Sequence, residues 1–88
     1  MSMSKTSPKF YVYIVECSDG SYYTGYTNDL EARIKKHNAG KASKYTRSHL
    51  PVKMVWKKGY ESGTCARKAE YRLKQLSREQ KIKLINKK

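Results

Sequence analysis

Hydrophobic and polar positions along the chain first predict three strands. Residues 10–17 and 22–26 are rich in β-branched and aromatic side chains, as strands are. The four residues between them, Ser-Asp-Gly-Ser, have turn chemistry, so the two strands are expected to form a hairpin. A third strand is predicted over residues 52–60, opened by Pro51.

The first helix is predicted after the hairpin. Leu30 and Ile34 have the spacing of one helix face, and the pattern ends near Asn38, before a glycine. Thr27, Asn28 and Asp29 are candidate N-caps, and Glu31, three residues after Asn28, is a possible capping-box partner.

Two further helices follow the third strand. From Ser62 an apolar stripe recurs at helical spacing, and Ser77 with Gln80 is a second capping box. The stripe consists of Cys65, Ala66, Ala69, Leu73 and Leu76. The order β-β-α-β-α-α predicts an α/β (α+β) fold, a small sheet with helices packed on it. We expect one domain over residues 9–86, after a disordered lead-in over residues 1–8.

The net charge of the chain indicates what kind of partner it binds. Twenty Lys and Arg against seven Asp and Glu give a formal net charge of +13. Such a field attracts polyanions, so nucleic acid is the favoured partner, although charge by itself indicates no chemistry. A ribosomal-type RNA binder and a merely basic surface are the alternatives. A membrane surface is disfavoured, because no basic helix has a wide apolar face.

The cysteines and the hydropathy of the chain argue against a disulfide scaffold, a zinc site and a membrane-spanning segment. Cys17 and Cys65 are too few for a disulfide scaffold and too far apart for a zinc pair, so we interpret both as small buried hydrophobic residues. No apolar run approaches membrane-spanning length, and the first residues lack a signal-peptide core. A cytoplasmic location is therefore expected.

Loop length in the hairpin decides whether Tyr13 and Tyr23 share a face. A two-residue turn would place them on opposite faces. A three-residue loop with its glycine in the left-handed conformation pairs Val15 with Tyr23 and Tyr13 with Gly25. We adopt this second register as a hypothesis, because two phenols beside a glycine make a pocket floor. Ordinary partial burial on a sheet is the alternative for each tyrosine.

Three charged side chains on the predicted helices are candidates for chemistry. Arg33 and His37 are four residues apart and project together, and an arginine fork suits a phosphate. Glu70 is an acid among many bases and could bind Mg²⁺, which is often held by one or two carboxylates with waters and phosphate. The alternatives are a solvated arginine, a histidine favoured at a helix end, and a Glu70–Lys74 surface pair.

The basic segment over residues 41–50 is predicted as a loop that contacts phosphates and stacks a base. A flexible loop without a partner is the alternative. Four candidate nucleic-acid contacts lie in this segment and two lie on the predicted helices. They are Lys41, Lys44, Tyr45 and Arg47 in the segment, and Lys36 and Arg67 on the helices.

The order of these motifs resembles the GIY-YIG nuclease domain. The resemblance rests on Val-Tyr-Ile around Tyr13, Tyr-Thr-Gly from Tyr23, then Arg33, His37 and Glu70, and it extends over residues 10–85. The stretches Asp-Gly-Ser-Tyr-Tyr-Thr-Gly, His-Asn and Lys-Tyr-Thr-Arg are further similar to its small standalone bacterial members of the UPF0213 type. The resemblance implies a three-stranded antiparallel sheet flanked by helices and single-metal hydrolysis of DNA. Relatives act in excision repair, homing and restriction.

The same resemblance implies a role for each site residue. Tyr13 would activate the attacking water as base or relay, and Tyr23 would orient the water or the phosphate. Arg33 would hold the scissile phosphate, Glu70 would bind one Mg²⁺ or Mn²⁺ ion, and His37 would assist proton transfer. A tyrosine base needs a lowered pKa, and the basic surroundings are expected to lower it.

Three departures from the family pattern qualify this expectation. The first motif reads Val-Tyr-Ile instead of Gly-Ile-Tyr, the second reads Tyr-Thr-Gly, and Asn86 is the candidate for a late asparagine. We also see no second DNA-binding module, and therefore expect weak cutting with little sequence preference. The sequence predicts a metal-dependent DNA endonuclease in repair or processing, acting on branched, damaged or single-stranded DNA. The alternative is a non-catalytic DNA- or RNA-binding module on the same scaffold.

Overall fold

The computed structural model describes residues 8–86, so residues 1–7 of the predicted lead-in lie outside it. Within that range the predicted order of elements is confirmed, with one short helix added. The elements are β1 (Phe10–Glu16), β2 (Tyr22–Thr27), α1 (Leu30–Asn38), α2 (Lys44–Arg47), β3 (Lys53–Tyr60), α3 (Gly63–Lys74) and α4 (Arg78–Asn86). No helix in this part of the chain is both long and apolar enough to cross a membrane.

The three strands form one antiparallel sheet in the order β2-β1-β3. The central strand, β1, has neighbours on both sides and is buried on both faces at its middle residues. Val15 pairs with Tyr23 and Tyr13 pairs with Gly25, so the register expected from the three-residue loop is confirmed.

The hairpin loop has the backbone geometry that fixes this register. The backbone N–H of Cys17 donates to the carbonyl oxygen of Ser21 at 2.8 Å, which closes a three-residue loop. Gly20 has φ of +86°, in the left-handed region that favours glycine. Asp19 accepts from the backbone N–H of Ser21 at 3.0 Å and from its hydroxyl at 2.6 Å, which fills out the turn.

The sheet packs helices against both faces. Tyr13 and Val15 belong to a core cluster that includes Leu30 and Ile34 of α1. Alternation sends Ile14 to the other face, where its partner Trp56 lines a groove together with residues of α3 and α4. The site described below lies beside β2, where α1 and α3 both reach the hairpin.

Helix α1 takes its N-cap from the predicted candidates, one residue after the capping-box position Asn28. Asp29, instead of Asn28, is the N-cap, and its side chain accepts from the backbone N–H of Ala32 at 3.2 Å. Glu31 lies in the first turn, where its charge favours the helix N-terminus.

The loop predicted over residues 41–50 contains a four-residue helix, α2, and in this respect the prediction was wrong. Ser43 caps α2, because its hydroxyl accepts from the backbone N–H of Tyr45 at 3.1 Å. Thr46 is fully buried against α1, and this tertiary contact orders a segment that has no apolar periodicity.

Helix α4 begins as its sequence predicts. Ser77 and Gln80 form the reciprocal capping box, with N···O distances of 2.9 Å and 3.2 Å. Arg78 then ties α4 to the hairpin loop: its guanidinium donates to the carbonyl oxygen of Gly20 at 2.9 Å and lies over the ring of Tyr22.

The two cysteines have different environments. Cys17 is buried as expected, but Cys65 is exposed, so that prediction was wrong for the second cysteine. The buried stripe of α3 centres on Ala66, and one residue along a helix turns the side chain by about 100°.

Candidate active site

The hairpin brings Tyr13 and Tyr23 to one face of the sheet. The centroids of their rings lie 5.8 Å and 5.4 Å from that of His37. Gly25, opposite Tyr13, has to be a glycine, because a Cβ there would lie 2.6 Å from the Tyr13 hydroxyl oxygen. The predicted pocket floor of two phenols beside a glycine is therefore present.

An open cleft of about 390 Å³ lies over this floor. Arg33 enters it from α1 and Glu70 enters it from α3, so residues far apart in sequence meet the tyrosines there. Four side chains that sequence analysis did not single out as site residues also line the cleft: Phe10, Tyr26, Thr27 and Asn28. Asn86, the candidate for the late asparagine, is exposed and does not line the cleft, whereas Asn28 does.

His37 lies behind the cleft instead of in its lining. Its side chain is only 1% exposed, and its Nε2 lies 2.9 Å from the Tyr13 hydroxyl. Its Nδ1 lies 2.8 Å from the hydroxyl of Thr46, and that hydroxyl donates to the carbonyl oxygen of Ser43 at 3.4 Å. Nδ1–H of a neutral imidazole therefore donates to Thr46, which leaves Nε2 to accept from Tyr13.

Electrostatics agree with this direction of donation. Burial, followed by the nearby charge of Arg33, lowers the pKa of His37 below its usual value, so the ring is neutral near pH 7. Burial, followed by the neighbouring Tyr23, raises the pKa of Tyr13 far above its usual value, although Arg33 acts in the opposite direction. Arg33 thus acts in the direction expected of basic surroundings, but desolvation outweighs it, so the pKa of Tyr13 is raised instead of lowered.

Glu70 lies in the cleft and forms the surface pair that its sequence context allows. It lines the cleft, and its Oε2 also lies 3.2 Å from the ammonium of Lys74, one helical turn further along. Residues 8–86 contain no cluster of three or more His, Cys, Asp or Glu that could hold a metal ion. A single carboxylate still fits Mg²⁺, which keeps several waters and takes phosphate oxygens as further ligands.

Tyr23 is supported from outside by an aromatic stack. Its ring lies 6.3 Å from the ring of Tyr45 with an interplanar angle of 17°, and Tyr45 stacks on His49 at 4.5 Å. The hydroxyl of Tyr45 donates to that of Ser21 at 2.5 Å. Tyr45, singled out for base stacking, thus contacts protein neighbours with its ring and with its hydroxyl.

The other candidate nucleic-acid contacts lie on the surface outside the cleft lining. All of them are exposed: Lys36, Lys41, Lys44, Arg47 and Arg67. Arg67 differs from the rest because it lines a separate groove on α3. Thr46, in the same basic segment, went unrecognised in the sequence. Its burial follows from the contact with His37, and a threonine in a run of charges gives no local signal of that.

Comparison with known proteins identifies the family of this chain. The family model of the GIY-YIG catalytic domain matches residues 9–83, and the chain belongs to that family. GIY-YIG domains are the catalytic domains of nucleases that act on DNA and generally depend on a divalent metal ion.

The most similar relatives narrow the position of the chain within the family. It is 52% identical over 77 residues to a UPF0213 protein of Staphylococcus haemolyticus, which covers 88% of this chain and 94% of that protein. It is 53% identical over 75 residues to a UPF0213 protein of Bacillus cereus, and the match covers 85% of this chain and 78% of that protein. It is 52% identical over 75 residues to a UPF0213 protein of Halobacterium salinarum, and the match covers 85% of this chain and 97% of that protein.

Solved structures support the fold. The solution structure of a UPF0213 protein from Bacillus halodurans is 50% identical, covers 86% of this chain and 81% of its own, and has a TM-score of 0.56. A solution structure of a protein from E. faecalis is 41% identical, covers 92% and 84%, and has a TM-score of 0.58. The resemblance to small UPF0213-type members of the family is thus confirmed.

Proposed function

We propose that this protein is a metal-dependent endonuclease that hydrolyses phosphodiester bonds of DNA. One observation supports this proposal most: Tyr13, Tyr23, Arg33 and Glu70, from four separate elements, line one cleft. Convergence of an anion-binding group, a carboxylate and hydroxyls in a concave site is the arrangement that phosphoryl chemistry needs.

The proton path runs through Tyr13. Because the Tyr13 hydroxyl lies within hydrogen-bond distance of Nε2 of His37, and burial raises the pKa of that hydroxyl, the group acts as a relay instead of a standing base. As the attacking water loses a proton to the Tyr13 oxygen, the hydroxyl proton passes to Nε2 of His37, 2.9 Å away. Thr46 keeps Nε2 free of its own proton by accepting Nδ1–H, and so prepares His37 to receive it.

In this proposal, Arg33, Tyr23 and Glu70 act on the phosphate of the DNA. The Arg33 guanidinium presents several N–H donors in one plane and stays charged throughout, so it binds the scissile phosphate and stabilises the negative charge that develops on it. Tyr23, braced by Tyr45, orients the water or the phosphate with its hydroxyl. Glu70 would hold Mg²⁺ or Mn²⁺, which would supply additional charge stabilisation at the phosphate oxygens.

The biological setting belongs to the same proposal. We propose branched, damaged or single-stranded DNA as the substrate, in repair or processing within the cytoplasm. The net charge of +13 supports a polyanionic partner, and the open cleft leaves room for it.

A second candidate function is a non-catalytic nucleic-acid-binding module on the same scaffold. The ion pair between Glu70 and Lys74 favours it, because an ammonium at this carboxylate competes with a divalent metal ion.

A cleavage assay with matched variants tests the proposal. Supercoiled plasmid, branched oligonucleotides and single-stranded oligonucleotides are incubated with Mg²⁺, Mn²⁺ or EDTA. Wild type is compared with Glu70→Gln and with Glu79→Gln, which removes an exposed carboxylate from α4.

We expect metal-dependent nicking by wild type and Glu79→Gln, and a loss of roughly a hundred-fold or more in Glu70→Gln with binding retained. Binding without cleavage by wild type on all substrates, unchanged by either substitution, would instead establish the binding module.

A further inference from the structure

A second groove lies on α3 and is lined entirely by that helix. Its volume is about 340 Å³, and its lining consists of Thr64, Arg67, Lys68, Tyr71 and Arg72. Tyr71 is 67% exposed, against 41% for Tyr45, the other exposed large hydrophobic side chain of residues 8–86. An aromatic ring this exposed among cations contributes little to the core, since the packed stripe of α3 lies on its other side.

The groove is separate from the cleft but lies next to it around the helix. Glu70 lines the cleft, and on a helix Arg67 lies about 60° further around from it and Tyr71 about 100° further around. Arg67 and Tyr71 are four residues apart and therefore neighbours on one face. A polymer that leaves the cleft past Glu70 meets Arg67 and then the ring of Tyr71.

The charge of the groove selects the occupant. Three of its five lining side chains are cationic and none is acidic. The one acid of α3, Glu70, faces the cleft and is paired with Lys74. A chain of phosphates is complementary to such a surface, and an exposed tyrosine beside it offers a face on which a base can stack.

We propose that this α3 groove binds the single-stranded flank of the DNA whose phosphodiester lies in the cleft. Arg67, Lys68 and Arg72 contact successive phosphates, and an unpaired base stacks on Tyr71. The occupant is single-stranded because a base inside a duplex has both faces covered by its neighbours. This inference rests on the proposed function, and it deepens it by defining which DNA the protein prefers: a duplex with an unpaired tail.

Binding measured in EDTA, where no metal-dependent cleavage takes place, tests the groove separately from the chemistry. The probes are a labelled DNA duplex with a single-stranded tail, the same duplex with blunt ends, and the same duplex with an RNA tail. One tail base is 2-aminopurine, whose fluorescence falls when it stacks on an aromatic ring.

We expect Tyr71→Ala to weaken binding of the DNA-tailed duplex by roughly ten-fold and to abolish the quenching, with less than about two-fold change for the blunt duplex. Tyr71→Phe keeps the ring and should bind as wild type. Arg67→Ala combined with Arg72→Ala removes two phosphate contacts and should lower the slope of log affinity against log salt by about 1.4 units on the tailed duplex, at about 0.7 for each single-strand phosphate. Lys83→Ala, which removes an exposed cation of α4, should leave the preference for the tail unchanged.

Equal effects of Tyr71→Ala on tailed and blunt duplexes, or none on either, would overturn the inference, as would tighter binding of the RNA tail than of the DNA tail. These outcomes are separate from failure of the nuclease. Cleavage that depends on Glu70 but is unaffected by substitution of Tyr71 would support the proposed nuclease and contradict DNA binding in the groove. Tail binding that depends on Tyr71, in a protein that never cleaves, would support the groove and contradict the proposed nuclease.

Discussion

The hydroxyl of Tyr13 lies 2.9 Å from Nε2 of His37, and both side chains are 1% exposed. His37, which lies behind the cleft, depends on this contact, because its Nε2 would otherwise lose a hydrogen bond that water from the cleft does not replace. The pair therefore has a structural role and, in the proposed enzyme, a chemical one. The experiments below separate the two roles.

Removing the hydroxyl of Tyr13 tests both roles together. Tyr13→Phe should lower cleavage by about 10²–10⁴-fold, the usual contribution of a positioned proton-transfer group. It should also lower the free energy of unfolding by about 1–3 kcal/mol, because Nε2 of His37 is left without a partner. Single-turnover cleavage and urea unfolding measure the two effects, with Tyr11→Phe on the same strand as control. Full activity of Tyr13→Phe would rule out the relay.

Thr46 should act through His37 without touching the substrate. Thr46→Val keeps the shape but removes the acceptor of Nδ1–H, so we expect a loss of about 1–3 kcal/mol in unfolding free energy. With Nδ1–H unpartnered, the other tautomer becomes competitive and the pH profile of cleavage should change, which a purely structural role would not cause. Thr46→Ser restores the hydroxyl and should recover both properties; a Ser variant as defective as Val would contradict this assignment.

The buried neutral histidine predicts how stability depends on pH. The pKa of His37 is lowered in the folded state from its usual 6.5, so below that pH the unfolded chain binds a proton that the folded chain does not. The free energy of unfolding should therefore be highest above about pH 6.5 and fall as the pH drops below it.

Urea unfolding between pH 5 and 8 measures this dependence, and His37→Gln should flatten it. His49, a partly exposed histidine, serves as control, and His49→Gln should leave most of the slope in place. A wild-type stability that rises toward pH 5 would contradict the lowered pKa.

Gly25 should tolerate no side chain. In Gly25→Ala the new Cβ would lie 2.6 Å from the hydroxyl oxygen and 2.8 Å from Cζ of Tyr13, so the ring must move. We expect a loss of about 1–3 kcal/mol in unfolding free energy and a large loss of cleavage, as Tyr13 leaves His37. Gly63→Ala is the matched control, because its Cβ would meet the ring of Phe10 at 3.4 Å or more. Equal behaviour of the two variants would contradict the close packing at Gly25.

Much of the scaffold could be predicted from local signals. The three-residue loop with its glycine sets the hairpin register, and that register brings Tyr13, Tyr23 and Gly25 together through contacts within the hairpin. The Ser77–Gln80 capping box and the strand and helix patterns depend on neighbours close in sequence, and they were confirmed for the same reason. The order of motifs around the tyrosines, Arg33 and Glu70 identified the family.

What the sequence could not supply is burial, which depends on how distant segments pack. Arg33 and His37 share one face of α1, yet packing against the sheet leaves Arg33 in the cleft and takes His37 behind it. The same packing orders α2 around Thr46 and makes desolvation the dominant influence on the pKa of Tyr13. Local sequence thus determined the register, the caps and the candidate residues. Only the tertiary structure determined which of them water reaches, and through that the protonation state of the Tyr13–His37 pair.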